Sequence, residues 1–175
     1  MFARRALSAL SNTIDNDRLA AFDPGTGLYA GEQSFLDWRD QSYAAWIVND
    51  IASLASSFAL STNVGHYKAL TLAAALAREH GDAVRAERYT AWARDLKAAI
   101  NTRLWLDDAQ SMYSSLTAPH LDAAPMHKFD WLGQSLAIIT GVADASRAPD
   151  PGPLPARPAG RAGHLPAAAR PAGLP

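Results

Sequence analysis

Residues 27–46 read GLYAGEQSFLDWRDQSYAAW, and the fold turns on what this stretch is. Tyr29, Phe35, Trp38, Tyr43 and Trp46 are interleaved with Glu32, Asp37, Arg39, Asp40 and the amides Gln33 and Gln41. Neither a 3.6-residue period nor a two-residue alternation separates the apolar from the polar side chains, as a core-forming helix or strand requires. The stretch therefore reads as a connection, and a chemically rich one. Flat aromatic faces beside carboxylates, a guanidinium fork and amides are what a saccharide needs: stacking for the apolar ring face, bidentate hydrogen bonds for the hydroxyls. The same composition also fits a packed loop in which Arg39 pairs with Asp37 or Asp40.

Working outward, residues 2–20 carry Ala6, Leu7, Leu10 and Ile14 at helical spacing, with Arg4, Arg5, Asp15, Asp17 and Arg18 free to lie opposite. Asp23-Pro24-Gly25-Thr26-Gly27 then gives a strong turn. Its Gly-x-Gly is no dinucleotide fingerprint, because neither a preceding strand nor a following helix is indicated. A short strand is read near 28–30 and a helical turn around 41–48. Ser61-Thr62-Asn63 offers a helix N-cap, ahead of an alanine- and leucine-rich helix over 63–80 that is apolar on most of its circumference and so buried. Gly81-Asp82 closes that helix and caps the next, over 83–104. There Tyr89, Trp92, Leu96 and Ile100 form one stripe and charged residues cover the remainder. Residues 105–128 form a second long connection with a short strand over 112–116. Pro119 and Pro125 keep its later part irregular. The almost uncharged DWLGQSLAIITGV, 130–142, reads as another buried helix.

The helices thus alternate between solvent-facing and buried, and a long connection precedes each buried one. If consecutive helices run antiparallel, both buried helices start at the same end of the molecule. The connections 22–62 and 105–129 then meet there. Loops longer than about 12–15 residues inside a compact domain are usually functional, so this end is the expected site.

The whole chain constrains the alternatives. At 175 residues it is long enough for one domain with a core. A net charge of −1 gives no electrostatic case for nucleic acid or an anionic membrane. The absence of cysteine excludes thiolate metal sites, disulfides and a cysteine nucleophile. No apolar run is long enough to span a bilayer. The start, MFARRALSAL, continues as an amphipathic helix, so no signal peptide is read and a cytoplasmic location is the default. No cofactor or metal is expected, since His120 and His127 lack ligand-like spacing to each other or to acids.

The combination of SFLDWRDQSY (34–43), STN-x-x-x-Y-x-A-L (61–70) and AERYTAWARDLKAAINTRLW (86–105) resembles the bacterial six-hairpin glycosidases. The resemblance extends over about residues 2–146. It implies an all-α fold, a partial (α/α)6 toroid of alternating inner and outer helices, and hydrolysis of a glycosidic bond at the end where the loops before the inner helices meet. The substrate class it implies is an oligo- or polysaccharide.

Glycosidases use two carboxyl groups, roughly 5–5.5 Å apart for retention and 6.5–9.5 Å for inversion. Glu32 and Asp37 would lie about 16 Å apart on an extended backbone. Asp37 and Asp40 suit one helical turn, but Arg39 between them favours both charged forms, whereas a general acid needs a raised pKa. Asp37 is therefore the candidate for one catalytic carboxyl, as acid or sugar ligand, with its partner elsewhere; the alternative is that it only orients Arg39. Glu32, Trp38, Arg39, Tyr29 and Trp131 are the candidate substrate-binding residues, and Gln134 is a further side chain within reach of the loop end. His66 reads as a satisfied buried histidine, Asn63 as a cap, and Trp92 and Trp105 as core.

After Arg147 the composition turns to Pro, Ala, Gly, Arg and Leu. Residues 147–175 are read as a disordered or frameshifted tail behind a helical domain over 1–146. Twelve helices with connections need on the order of 300 residues, so the chain is expected to be an inactive fragment. Apolar helix faces left uncovered would promote self-association. Two other classes stay open: an α-helical repeat or interaction module, and a non-catalytic carbohydrate-binding helical domain. Against the repeat module, no fixed-period self-similarity is visible.

Overall fold

A computed structural model describes residues 2–31, 52, 55–107, 111–118, 129–144 and 147. Among them the chain is mainly α. Helices α1 (Phe2–Ala20), α2 (Leu60–Glu79), α3 (Ala83–Arg103) and α4 (Trp131–Thr140) are accompanied by short antiparallel ribbons. Strand β1 (Phe22–Asp23) pairs with β2 (Leu28–Tyr29), β3 (Phe58–Ala59) with β6 (Leu116–Thr117), and β4 (Trp105–Leu106) with β5 (Met112–Tyr113).

Helix α2 is central. It packs against α1, α3 and α4, as its nearly continuous apolar circumference demands. Leu60, Val64, Leu70, Ala73, Ala74 and Ala77 are all buried, and the alanines let neighbouring backbones come close. Burying a leucine such as Leu70 contributes about 1.5–3 kcal/mol. Helix α3 buries Ala86, Tyr89, Ala93, Leu96 and Ile100 and leaves Arg85, Glu87, Arg88, Arg94 and Asp95 exposed. The α2–α3 turn forms as its residues dictate. Gly81 adopts φ +74°, the left-handed conformation that glycine tolerates best, and the Asp82 carboxylate accepts the Arg85 backbone N–H at 3.0 Å.

Two sequence expectations need correction. Asn63 caps nothing: α2 begins at Leu60 behind Ala59, with no side-chain cap. The Leu60 N–H instead donates to the Ser115 carbonyl at 2.9 Å, so a distant segment satisfies it. Helix α4 is buried on one face only. Gly133 and Ala137 are buried against the molecule, while Trp131, Ile138 and Ile139 are 78%, 49% and 78% exposed. Among the described elements α2 makes the most extensive contact with it, and one helix covers one face.

Candidate functional site

The loop end forms around the starts of α2 and α4. Gly133, in the first turn of α4, sits so close to Leu60, the first residue of α2, that an added Cβ would lie 2.7 Å from Leu60 Cδ2. The two helix starts are therefore in direct contact, as the alternation of helices implies.

The chain reaches this end by the same route twice. Helix α1 leads into the β1–β2 ribbon and α3 into the β4–β5 ribbon. In the first ribbon Phe22 faces Tyr29 edge-on, with ring centroids 5.2 Å apart. In the second, Trp105 faces Tyr113 edge-on at 4.9 Å. An arginine lies over the outer aromatic ring in each: Arg18 over Phe22 at 3.1 Å and Arg147 over Trp105 at 5.1 Å. Both tyrosine rings are buried, which raises their phenol pKa, for Tyr113 to about 12.

Each tyrosine backbone is then held by a carboxamide on the fourth residue of the following helix. The Tyr29 N–H donates to Asn63 Oδ1 at 2.8 Å, and Asn63 Nδ2 donates to the Tyr29 carbonyl at 3.0 Å and to the Ala59 carbonyl at 2.9 Å. The Tyr113 N–H donates to Gln134 Oε1 at 3.1 Å, and Gln134 Nε2 donates to the Tyr113 carbonyl at 2.6 Å. The two units are also tied to each other. The Gly31 N–H donates to the Ser57 carbonyl at 2.8 Å, Gly31 bridges Phe58, and β3 pairs with β6.

The residues singled out from sequence fall unevenly on this frame. Glu32, Asp37, Trp38 and Arg39 lie outside the described residues, as do His120 and His127; the chain leads into the first four directly from Gly31. Tyr29 is 1% exposed, with its ring stacked on His66 at 3.9 Å and 8°. Trp131, at the start of α4, is 78% exposed and edge-on to Phe129 at 5.0 Å. His66 is the partly buried stacking partner of Tyr29; burial lowers its pKa against the pull of Asp17, 3.9 Å away. Gln134 turns toward the Tyr113 backbone. Trp92 and Trp105 pack against the core.

Asp130, which sequence reading passed over, is 6% exposed and caps α4 by accepting the Leu132 N–H at 3.1 Å. Burial raises its pKa, opposed by the backbone N–H groups of Gly133 and Leu132. Buried hydroxyls of Ser57, Ser61, Ser114, Ser115 and Thr117 surround the β3–β6 ribbon. A depression of about 300 Å³ opens beside α2, lined by Asp17, Ser61, Thr62, Gly65, His66 and Ala69. A larger one, about 520 Å³, lies toward the α2–α3 turn, where Arg78, Ala83, Ala86 and Glu87 line it. Among the described residues no three His, Asp or Glu side chains come together as a metal site would need, and no helix is long and apolar enough to cross a membrane.

No model of a protein family and no curated protein matches this chain. Among solved structures it is similar to the crystal structure of a GH78 family rhamnosidase of Bacillus sp. GL1, with 25% sequence identity and a TM-score of 0.64. The match covers 83% of this chain and 14% of the rhamnosidase, so the chain spans a minor part of that protein's length.

Proposed function

We propose that this chain is part of a glycoside hydrolase that acts on an oligo- or polysaccharide, and that its saccharide site lies where the starts of α2 and α4 meet. The fold behind the proposal is a partial (α/α)6 toroid in which α1 and α3 are outer helices and α2 and α4 inner ones. One observation carries it. Two structurally matched ribbons are held at the adjoining starts of α2 and α4, and the chain so arranged is similar to part of a rhamnosidase. The half-exposed side of α4 supports the toroid reading, because an inner helix needs a neighbour on each flank.

In this proposal Asp37 supplies one catalytic carboxyl, and Glu32, Trp38 and Arg39 bind substrate. Trp131 offers an open aromatic face at the start of α4. Tyr29 acts through the connection it anchors, since His66 covers one ring face. The share of the rhamnosidase that is covered supports reading this chain as unable to complete the carboxyl pair alone.

Titrating the chain with L-rhamnose and following tryptophan fluorescence tests the proposal. The expected result is a saturable change that Trp131→Ala diminishes, without nitrophenol release from a nitrophenyl rhamnoside. Absence of any saturable response to rhamnose or its oligomers would remove the saccharide site.

A further inference from the structure

We propose that Asn63 and Gln134 are a matched pair of positioning residues, each acting as a one-residue β-strand that fixes where a long connection leaves its ribbon for the shared end. The inference rests on the saccharide reading for its purpose but not for its geometry. A carboxamide presents one acceptor and two N–H donors, the complement that a neighbouring strand would offer to one residue's N–H and C=O. Asn63 meets both groups of Tyr29 and Gln134 both groups of Tyr113, all within 3.1 Å. A backbone N–H only donates and a carbonyl only accepts, so each amide has a single workable orientation. Both ribbons have two strands, so the amide supplies an edge that neither ribbon builds from backbone.

The two units repeat this device on helices of different length, after connections of different length. Asn63 is fully buried and gives its second N–H to Ala59, joining the ribbon to the start of α2. His66, one turn on, stacks on the ring of the same tyrosine. The first turns of α2 therefore hold Tyr29 by backbone and side chain together. Gly31, two residues later, is where the chain passes into the segment bearing Glu32 and Asp37. Asn63 touches no substrate in this scheme and works through the backbone it holds.

Amide hydrogen exchange of the whole chain tests the proposal, with Leu96 in α3 as the internal reference. Asn63→Leu is expected to speed exchange at Tyr29 by about tenfold or more relative to Leu96, leaving Tyr113 unchanged; Gln134→Leu should do the reverse. Asn63→Asp adds a signature that packing alone does not give. At neutral pH its carboxylate faces the Tyr29 and Ala59 carbonyls without a donor, whereas the protonated acid regains one. The excess exchange at Tyr29 over wild type should therefore shrink as pH falls. Equal acceleration at Tyr29 and Leu96, or an unmoved Tyr29, would overturn the proposal.

A second arm uses L-rhamnose. An Asn63→Leu chain with helices intact by circular dichroism should bind it at least about tenfold more weakly than wild type. Unchanged affinity with a released Tyr29 amide would also overturn the positioning role. Failure of the wild-type chain to bind rhamnose would count against the saccharide reading alone, since the exchange arm still decides the clamp.

Discussion

Replacing Gly133 with alanine tests the contact on which the loop end is built. In an open helical position this change stabilises by roughly 0.5–1 kcal/mol, because glycine loses more backbone entropy on folding. At Gly133 the new methyl would lie 2.7 Å from Leu60 Cδ2 and 3.0 Å from Leu60 Cγ, with the Asp130 carboxylate closer still. Leu60 is completely buried and cannot swing aside, so the helices must part or a rotamer must strain, at about 1–3 kcal/mol. The net expectation is a loss of about 1–2 kcal/mol, equivalent to a fall in Tm of about 2–8 °C for a chain this size.

Gly65 supplies the control. It lies in α2, exposed, with nothing within 4 Å of an added Cβ, so Gly65→Ala should stabilise by about 0.5–1 kcal/mol. Denaturant unfolding followed by circular dichroism measures both. Combining Gly133→Ala with Leu60→Ala should recover most of the loss as a coupling energy. If Gly133→Ala instead stabilises the protein as Gly65→Ala does, α2 and α4 do not meet at their starts and the shared end dissolves.

Two pH predictions follow from the paired tyrosines. Burial lowers the folded-state pKa of His66, so stability linked to it is full above the unfolded value of about 6.5 and is lost as pH falls through the folded pKa. His66→Phe keeps a ring against Tyr29 and should flatten the pH dependence of Tm below about 6.5. Tyr113 has a raised pKa of about 12, so its contribution is full below the unfolded value of about 10 and is lost as pH rises from there toward 12. Ultraviolet titration should show Tyr113 still protonated at pH 11, and Tyr113→Phe, which removes the 2.7 Å hydrogen bond to Asn101, should lose that alkaline dependence.

The helices were legible because their signals are local. The stripe through Tyr89, Leu96 and Ile100, the alanine-rich faces of α2 and the Gly81-Asp82 pair place three elements to within a few residues. The start of α2 is not legible locally because its first N–H is satisfied by Ser115, which no window around Ser61-Thr62-Asn63 contains. The duplicated ribbon-and-clamp unit stayed hidden for two reasons. Two-residue strands carry no periodicity. The spacing from tyrosine to clamp also differs, with Tyr29 and Asn63 34 residues apart and Tyr113 and Gln134 21 apart, so no fixed repeat length exists to find. Phe22 with Leu28-Tyr29, and Trp105 with Met112-Tyr113, are the residual sequence trace. For the site, the shared end followed from the alternation of apolar and amphipathic helices, while the clamping amides looked like ordinary polar residues at helix starts.

The most direct test of the proposed saccharide end is a ¹⁵N chemical-shift map of the whole chain titrated with L-rhamnose. Resonances of Gly31, Ser57, Ser115 and the Trp131 indole should move together and saturate with one affinity, while Arg85 to Arg94 on α3 stay still. Shifts confined to that α3 face, or no saturable shift anywhere, would contradict the placement of a saccharide where α2 and α4 begin.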